Sequence, residues 1–238
     1  MSLSTSIIVG HDIVVASAVV VLFAVHSFLE ALVHIAKYSL YDDAPFSGMV
    51  YANATAIVSR VFFTAGGTVL AFFIEMSGGG AIQVVMLSLA VLGACACVTA
   101  VLLFVAIDRH QLSPEFTVRS FIALLSGSLL TKNTDCRFSL KGLPVAPISF
   151  LNVSAFVFVF VVAAAYPEYR LTIVSVSPVL SMIGTIFITI FFEPKIANQL
   201  SRGGINRHLA LSLVLHVRLF GYLVAIVMLL ALYLTMAE

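Results

Sequence analysis

The chain has 238 residues, of which 61% are hydrophobic and 10% charged, with a mean hydropathy of +1.14. Soluble domains are about 45–50% apolar and about a quarter charged, so this composition excludes an ordinary soluble domain and points to a membrane. The formal net charge of +1 hides an uneven distribution, with the charges collected in a few loops, and a nucleic-acid role, which rests on a basic face, is not expected. Of the three cysteines, Cys95 and Cys97 lie inside an apolar run and Cys136 in a charged loop, which provides neither a disulfide framework nor a metal-binding spacing.

A bilayer core about 30 Å thick takes about 20 apolar residues per helical crossing. The first apolar run covers about residues 13–35. It is longer than the roughly 7–15-residue core of a cleavable secretion signal, and no basic residue precedes Lys37, so it reads as a retained first span. Further spans are expected at 47–74, 81–107, 148–165, 171–192 and 209–236, which makes residues 1–238 one all-α, six-span transmembrane domain. Residues 108–146, between the third and fourth spans, contain FTVRSFIALLSGSLLTK, apolar but short for a crossing. That segment reads as an interfacial or re-entrant helix. Gly66 and Gly67, the run Gly78 to Gly80, and Gly93 beside Ala94 and Ala96 read as points of close helix approach. Pro178 removes a backbone donor from the fifth span and is expected to kink or interrupt it.

The distribution of Lys and Arg sets the expected orientation. Lys37, Arg109, Arg119, Lys132, Arg137, Lys141, Lys195, Arg202 and Arg207 fall on one side of a six-span chain, and Arg170 alone falls on the other. The basic side is expected to be cytoplasmic, with both termini outside. Glu193, followed by Pro194, then closes the fifth span at the cytoplasmic mouth near Lys37, while Glu168 and Arg170 sit in an outer turn whose Tyr166 and Tyr169 fit an interfacial belt.

Ionisable side chains within spans are costly and mark sites. The first span carries His26, Glu30 and His34 at successive i, i+4 positions on one helix face. The second carries Asn53 and Arg60, seven apart and so on one face, with Ser59 beside them; the sixth carries His216 and Arg218. One reading has Glu30 paired with Arg60 or Arg218 to hold the bundle, which leaves one arginine over. A guanidinium left in hydrocarbon calls for an anion, and its planar fork suits phosphate or carboxylate. The functional reading is therefore an anion-accepting cavity open towards the cytoplasm. A third reading makes His26, Glu30 and His34 ligands of one metal ion, though no second acid- or histidine-rich helix completes the set. No Gly-x-Ser-x-Gly elbow, paired carboxylates or phosphate-binding glycine loop is present, and Asp108, Glu115 and Asp135 are dispersed among basic residues. A transporter without a cofactor is expected rather than an enzyme.

The stretch HSFLEALVHIAKYSLY, followed by NATAIVSR, resembles the opening pattern of the Amj family of alternate lipid II flippases. PEYRLTIVSVSPVLSMIGTIFITIFFEPKIANQL resembles that family's outer turn and following helix with its acid-proline end, and LVLHVRLFGYLVA resembles its last span. The similarity covers roughly residues 20–75 and 150–228. It implies movement of the undecaprenyl-pyrophosphate-linked peptidoglycan precursor from the inner to the outer leaflet of the bacterial cytoplasmic membrane. Under that resemblance Arg60 and Arg218, with Asn53 and Ser59, meet the pyrophosphate. Glu30, with His26, His34 and His216 near it, is the charge partner or coupling group. The lipid tail stays among membrane lipids. A flippase for another polyprenyl-phosphate carrier lipid and a metal- or proton-coupled transporter stand as alternatives, and the oligomeric state is left open.

Overall fold

The computed structural model describes residues 3–39, 45–76, 80–109, 155, 157–187 and 207–237, and all regular structure among them is helical. Backbone amides have no water to bond with in hydrocarbon, so long apolar runs satisfy them internally as helices. The elements are α1 (Leu3–Ser39), α2 (Pro45–Met76), α3 (Ala81–Arg109), a helical stretch α4 at 157–165, a 3₁₀ turn at Pro167–Tyr169, α5 (Arg170–Phe187) and α6 (Arg207–Ala237). Four of these helices contain segments long and apolar enough to cross a membrane: Asp12–Tyr38, Val50–Met76, Ala81–Asp108 and Arg207–Met236. The chain is a membrane-embedded, multi-pass protein. Expected spans one, two, three and six thus lie within α1, α2, α3 and α6. Of spans four and five the structure describes α4 and α5; residues 148–154, 188–192 and 110–146, with Glu193, lie outside the described residues.

Local chemistry explains the ends. Pro45 opens α2 at a position where a missing N–H costs nothing. The Gly80 carbonyl accepts from the N–H groups of Gln83 (2.9 Å) and Val84 (3.2 Å) as α3 begins. Between α4 and α5 the chain reverses tightly: Tyr169 N–H donates to the Tyr166 carbonyl at 3.1 Å, and Arg170 N–H donates to the Pro167 carbonyl. Tyr166, Glu168 and Tyr169 are exposed at this turn, as an interfacial belt requires. Of the two expectations for Pro178, kink or interruption, the interruption is corrected: α5 runs through it to Phe187. A proline removes one donor, and the remaining ladder bonds are too valuable in apolar surroundings to be given up with it.

α1 is the hub, packing against α2, α3 and α6, while α3 also packs against α6. The contacts fix the directions. His26 meets Ser59, and Phe23 meets Phe63, so α1 and α2 run antiparallel. Ser27 meets Cys95 and Thr99, and Ala31 clusters with Leu103 and Ala106, so α1 and α3 run parallel. Glu30 meets Arg218 and Ser27 meets Tyr222, so α6 runs against both. Lys37 at the end of α1, Arg109 at the end of α3 and Arg207 at the start of α6 consequently lie at one end of the bundle. An apolar core built from Val19, Phe23, Leu70, Val85, Leu92 and Leu229 takes up α4 through Val157, Phe160, Val161 and Ala164.

Among the described glycines, Gly66 makes the close approach. A Cβ there would stand 3.0 Å from the Phe23 ring, which is 1% exposed and meets Phe63 edge-on with centroids 5.9 Å apart. Among the described residues nothing lies within 4 Å of a Cβ added at Gly67 or at Gly93. The expected close approach therefore holds at Gly66 and, among the described residues, not at Gly67 or Gly93, while Gly78 and Gly79 lie outside the described residues. Gly66→Ala is expected to destabilise the α1–α2 contact by about 1–3 kcal/mol, the usual cost of overpacking. Thermal unfolding of the two variants in detergent checks this: Gly66→Ala melts below wild type and Gly67→Ala does not.

Candidate functional site

With Ser88 and Ser212 buried elsewhere, the main polar band of the interior among the described residues is where α1 presents His26, Ser27 and Glu30 within little more than a helical turn. These side chains do not converge. His26 is taken by α2, Ser27 by α3 and α6, and Glu30 by α6, because α1 is surrounded and successive residues turn by about 100°.

Glu30 forms an ion pair with Arg218 of α6 through Oε2 and Nη2. The arginine side chain is 9% exposed and the glutamate 33%, so the cation is enclosed while one side of the carboxylate stays open. Arg218 Nη1 is buried and has no hydrogen-bond partner among the described residues. A guanidinium carries five donors in a fixed fork, and one bound oxygen does not satisfy it. His34, one turn further along α1, likewise has a buried Nδ1 without a partner among the described residues.

His26 is held by α2. Its Nδ1 lies 3.0 Å from the Ser59 carbonyl oxygen and 2.8 Å from Ser59 Oγ, and Ser59 Oγ donates to the His26 carbonyl at 3.3 Å. A carbonyl only accepts, so the Nδ1 proton points to α2. The Phe63 ring covers the imidazole with centroids 5.0 Å apart.

The third contact is a chain of hydroxyls. Thr99 donates to the Cys95 carbonyl at 2.9 Å, which spends its one proton. Ser27 Oγ has two acceptors within reach on α3, Thr99 Oγ1 at 3.4 Å and the Cys95 carbonyl at 3.5 Å, so its one proton points to α3, and Tyr222, whose hydroxyl oxygen is 3.1 Å from Ser27 Oγ, is the donor to Ser27. Protons thus run one way, from α6 through α1 to α3. Cys95 Sγ adds a bond to the Phe23 carbonyl at 3.4 Å. Tyr222 stands one turn after Arg218, so the ion pair and the hydroxyl chain form adjacent layers.

The sequence expectations divide here. Glu30 and Arg218 come together; of the two pairings considered, this is the one that forms. Ser59 does not share the face of Asn53 and Arg60: it is buried against His26, whereas Asn53 and Arg60 are exposed on the outward side of α2. Arg60 lines a groove of about 580 Å³ with Ile57, Val61, Thr64, Ala65 and Thr68. It therefore faces away from α1 while Arg218 faces towards it, and the two arginines do not line one cavity among the described residues. The reason is angular, since adjacent residues 59 and 60 cannot both face inward. His216 donates back to its own helix, Nδ1 to the Ser212 carbonyl at 2.7 Å. Lys37 closes α1. Glu168 is exposed in the turn, and Arg170 is half-buried there with its Nε buried and unbonded. His26 and Glu30 are directed to different helices, and among the described residues no three His, Cys, Asp or Glu side chains are grouped to hold a metal ion. Ser27, Thr99 and Tyr222 were not singled out by sequence. Hydroxyls are common in spans, and the one available signal was position: Ser27 beside His26, and Tyr222 one turn from Arg218.

No family model, curated protein or solved structure matches the chain.

The pair and the hydroxyl chain differ in their response to substitution. Arg218→Met alone strands a carboxylate and is expected to destabilise by about 3–5 kcal/mol, while Glu30→Gln with Arg218→Met removes both charges and regains most of it. Tyr222→Phe, which removes one hydroxyl at the end of the chain, costs about 0.5–1.5 kcal/mol. A double-mutant cycle of thermal unfolding in detergent measures both.

Proposed function

We propose that this protein is a flippase for an anionic, polyprenyl-linked lipid of the bacterial cytoplasmic membrane, with lipid II as the substrate and no enzymatic step. The observation that carries the reading is Arg218: an enclosed guanidinium inside the helical bundle which, among the described residues, is held by one carboxylate and has an unpartnered donor at Nη1. Phosphate and pyrophosphate oxygens suit such a fork. Glu30 is the resting partner, and its open side is where a head group displaces it from the arginine. The resemblance of residues 20–75 and 150–228 to the Amj family names lipid II among the lipids of this chemistry. No nucleotide-binding motif accompanies it, and an inside-negative potential favours outward movement of anionic charge by about 2.3 kcal/mol per charge per 100 mV.

The same reading takes the chain as six spans with both termini outside. Two features support it. α3 ends and α6 begins at the same end of the bundle, which requires an even number of crossings between them, and α4 and α5 are joined by a tight turn that suits one pair. The basic ends of α1, α3 and α6 also lie together, as the cytoplasmic side requires. The segment 108–146 is taken as interfacial or re-entrant.

Rescue tests the function. In a bacterium depleted of its principal lipid II flippase, wild type is expected to restore growth and outward exposure of lipid II. Arg218→Ala and Glu30→Gln at equal membrane levels are expected to lower exposure at least about tenfold, equivalent to about 1.4 kcal/mol. Wild type that inserts fully and exposes no lipid II removes lipid II as the substrate, and restored export of another polyprenyl-phosphate lipid would then name that carrier instead.

A further inference from the structure

α2 carries a second polar feature that the interior site does not use. Arg60 is exposed fifteen residues after Pro45, which opens α2, and sixteen before Met76, which ends it, so it stands about 22 Å along the helix at about 1.5 Å per residue, near its middle. That depth falls inside a hydrocarbon core about 30 Å thick. Among the described residues no acid is paired with it. On α2 itself the acid is Glu75, fifteen residues further on and exposed near the opposite end of the helix.

The groove at Arg60 is built from two neighbouring i, i+4 rows of one helix face: Ile57, Val61 and Ala65 form an apolar row, and Arg60, Thr64 and Thr68 a polar one. Such a surface matches an amphiphile lying along the helix. The hydroxyl protons of the polar row are already committed, Thr64 to the Arg60 carbonyl at 2.9 Å and Thr68 to the Thr64 carbonyl at 3.0 Å. Their outward oxygens can therefore only accept. The row offers one anion-binding fork followed by two acceptors, which together select an anionic group carrying hydroxyl donors. A second copy of the chain is the wrong occupant. A two-fold axis normal to the membrane keeps equivalent residues at equal depth and sets Arg60 against its own counterpart in a low dielectric.

We propose that the Arg60 groove is a lipid-facing site for the head group of a phosphate-bearing lipid with free hydroxyls. Arg60 binds the phosphate, Thr64 and Thr68 accept from the hydroxyls, and the chains lie against Ile57, Val61 and Ala65. The site deepens the carrier-lipid reading by giving the head group a place outside the bundle before it reaches Arg218. It rests on that reading for the transfer and not for the binding.

Native mass spectrometry of the full-length protein, titrated with phosphatidylglycerol, phosphatidic acid and phosphatidylcholine, tests it. Wild type is expected to hold phosphatidylglycerol in preference to phosphatidylcholine. Arg60→Ala is expected to lose at least about tenfold of that affinity, the scale of one charge-assisted pair, and Arg60→Lys to keep more of it. The double variant Thr64→Val and Thr68→Val weakens phosphatidylglycerol and leaves phosphatidic acid unchanged. Arg60 is exposed, so an unaltered melting temperature accompanies the loss. Unchanged phosphatidylglycerol binding by Arg60→Ala overturns the proposal. So does displacement of the lipid by inorganic pyrophosphate at equal concentration, or efficient disulfide cross-linking of two copies through Val61→Cys. Arg60-dependent binding combined with failed rescue by wild type leaves this site standing and removes the lipid II reading. Successful rescue with Arg60-independent binding and export does the reverse.

Discussion

The ion pair between Glu30 and Arg218 is the contact around which the bundle is organised. A charge in hydrocarbon has no solvent to fall back on, and separating the two partners leaves both stranded. Because the partners sit on α1 and α6, the pair sets the relative depth and rotation of those helices. The hydroxyl chain from Tyr222 through Ser27 to Thr99 lies directly beside it and brings α3 into the same register. Apolar packing alone does little to choose among helix arrangements in a membrane, since lipid tails solvate an apolar face as well as another helix does. Polar contacts supply the choice.

α1 distributes one polar band among three neighbours: His26 to α2, Ser27 to α3 and α6, and Glu30 to α6. Apolar core flanks the band, with Phe23 seated against Gly66 on one side and Ala31 against Leu103 and Leu215 on the other. A rearrangement that opens the interior acts on this band. Under the proposed function, an anion reaching Arg218 supplies the oxygen that Glu30 gives up, so the exchange trades one charge-assisted contact for another of similar strength. The separation of Arg60 from Arg218 then has a use: one guanidinium faces the lipid and the other the interior, as a head group moving between the two environments requires.

How much of this was legible beforehand differs by residue. Glu30 and Arg218 were visible as ionisable groups inside apolar runs, and so was the fact that one glutamate cannot serve two arginines. Which arginine it serves was not visible, because both sequence separations are long and neither helix carries a mark of its neighbour. Asn53 and Arg60 were correctly placed on one face by their spacing of seven, but Ser59 was grouped with them by proximity alone, and a step of about 100° turns it to the opposite side of α2. Ser27, Thr99 and Tyr222 are ordinary residues for a membrane helix and acquire meaning only when three helices bring their oxygens within 3.4 Å.

Composition and the lengths of the apolar runs determined that the chain is helical, lies in a membrane and crosses it several times, because the backbone in hydrocarbon admits few other solutions and about 20 apolar residues are a countable signal. They also determined which side chains are anomalous there. The tertiary structure alone decided their partners: Glu30 with Arg218, His26 with Ser59, Ser27 with Tyr222, and Arg60 turned outward along its groove. Those choices depend on the rotation of each helix about its axis and on which helices are neighbours. Both are set by packing between residues distant in the chain, as with Phe23 against Gly66, and no local pattern within a single helix encodes them.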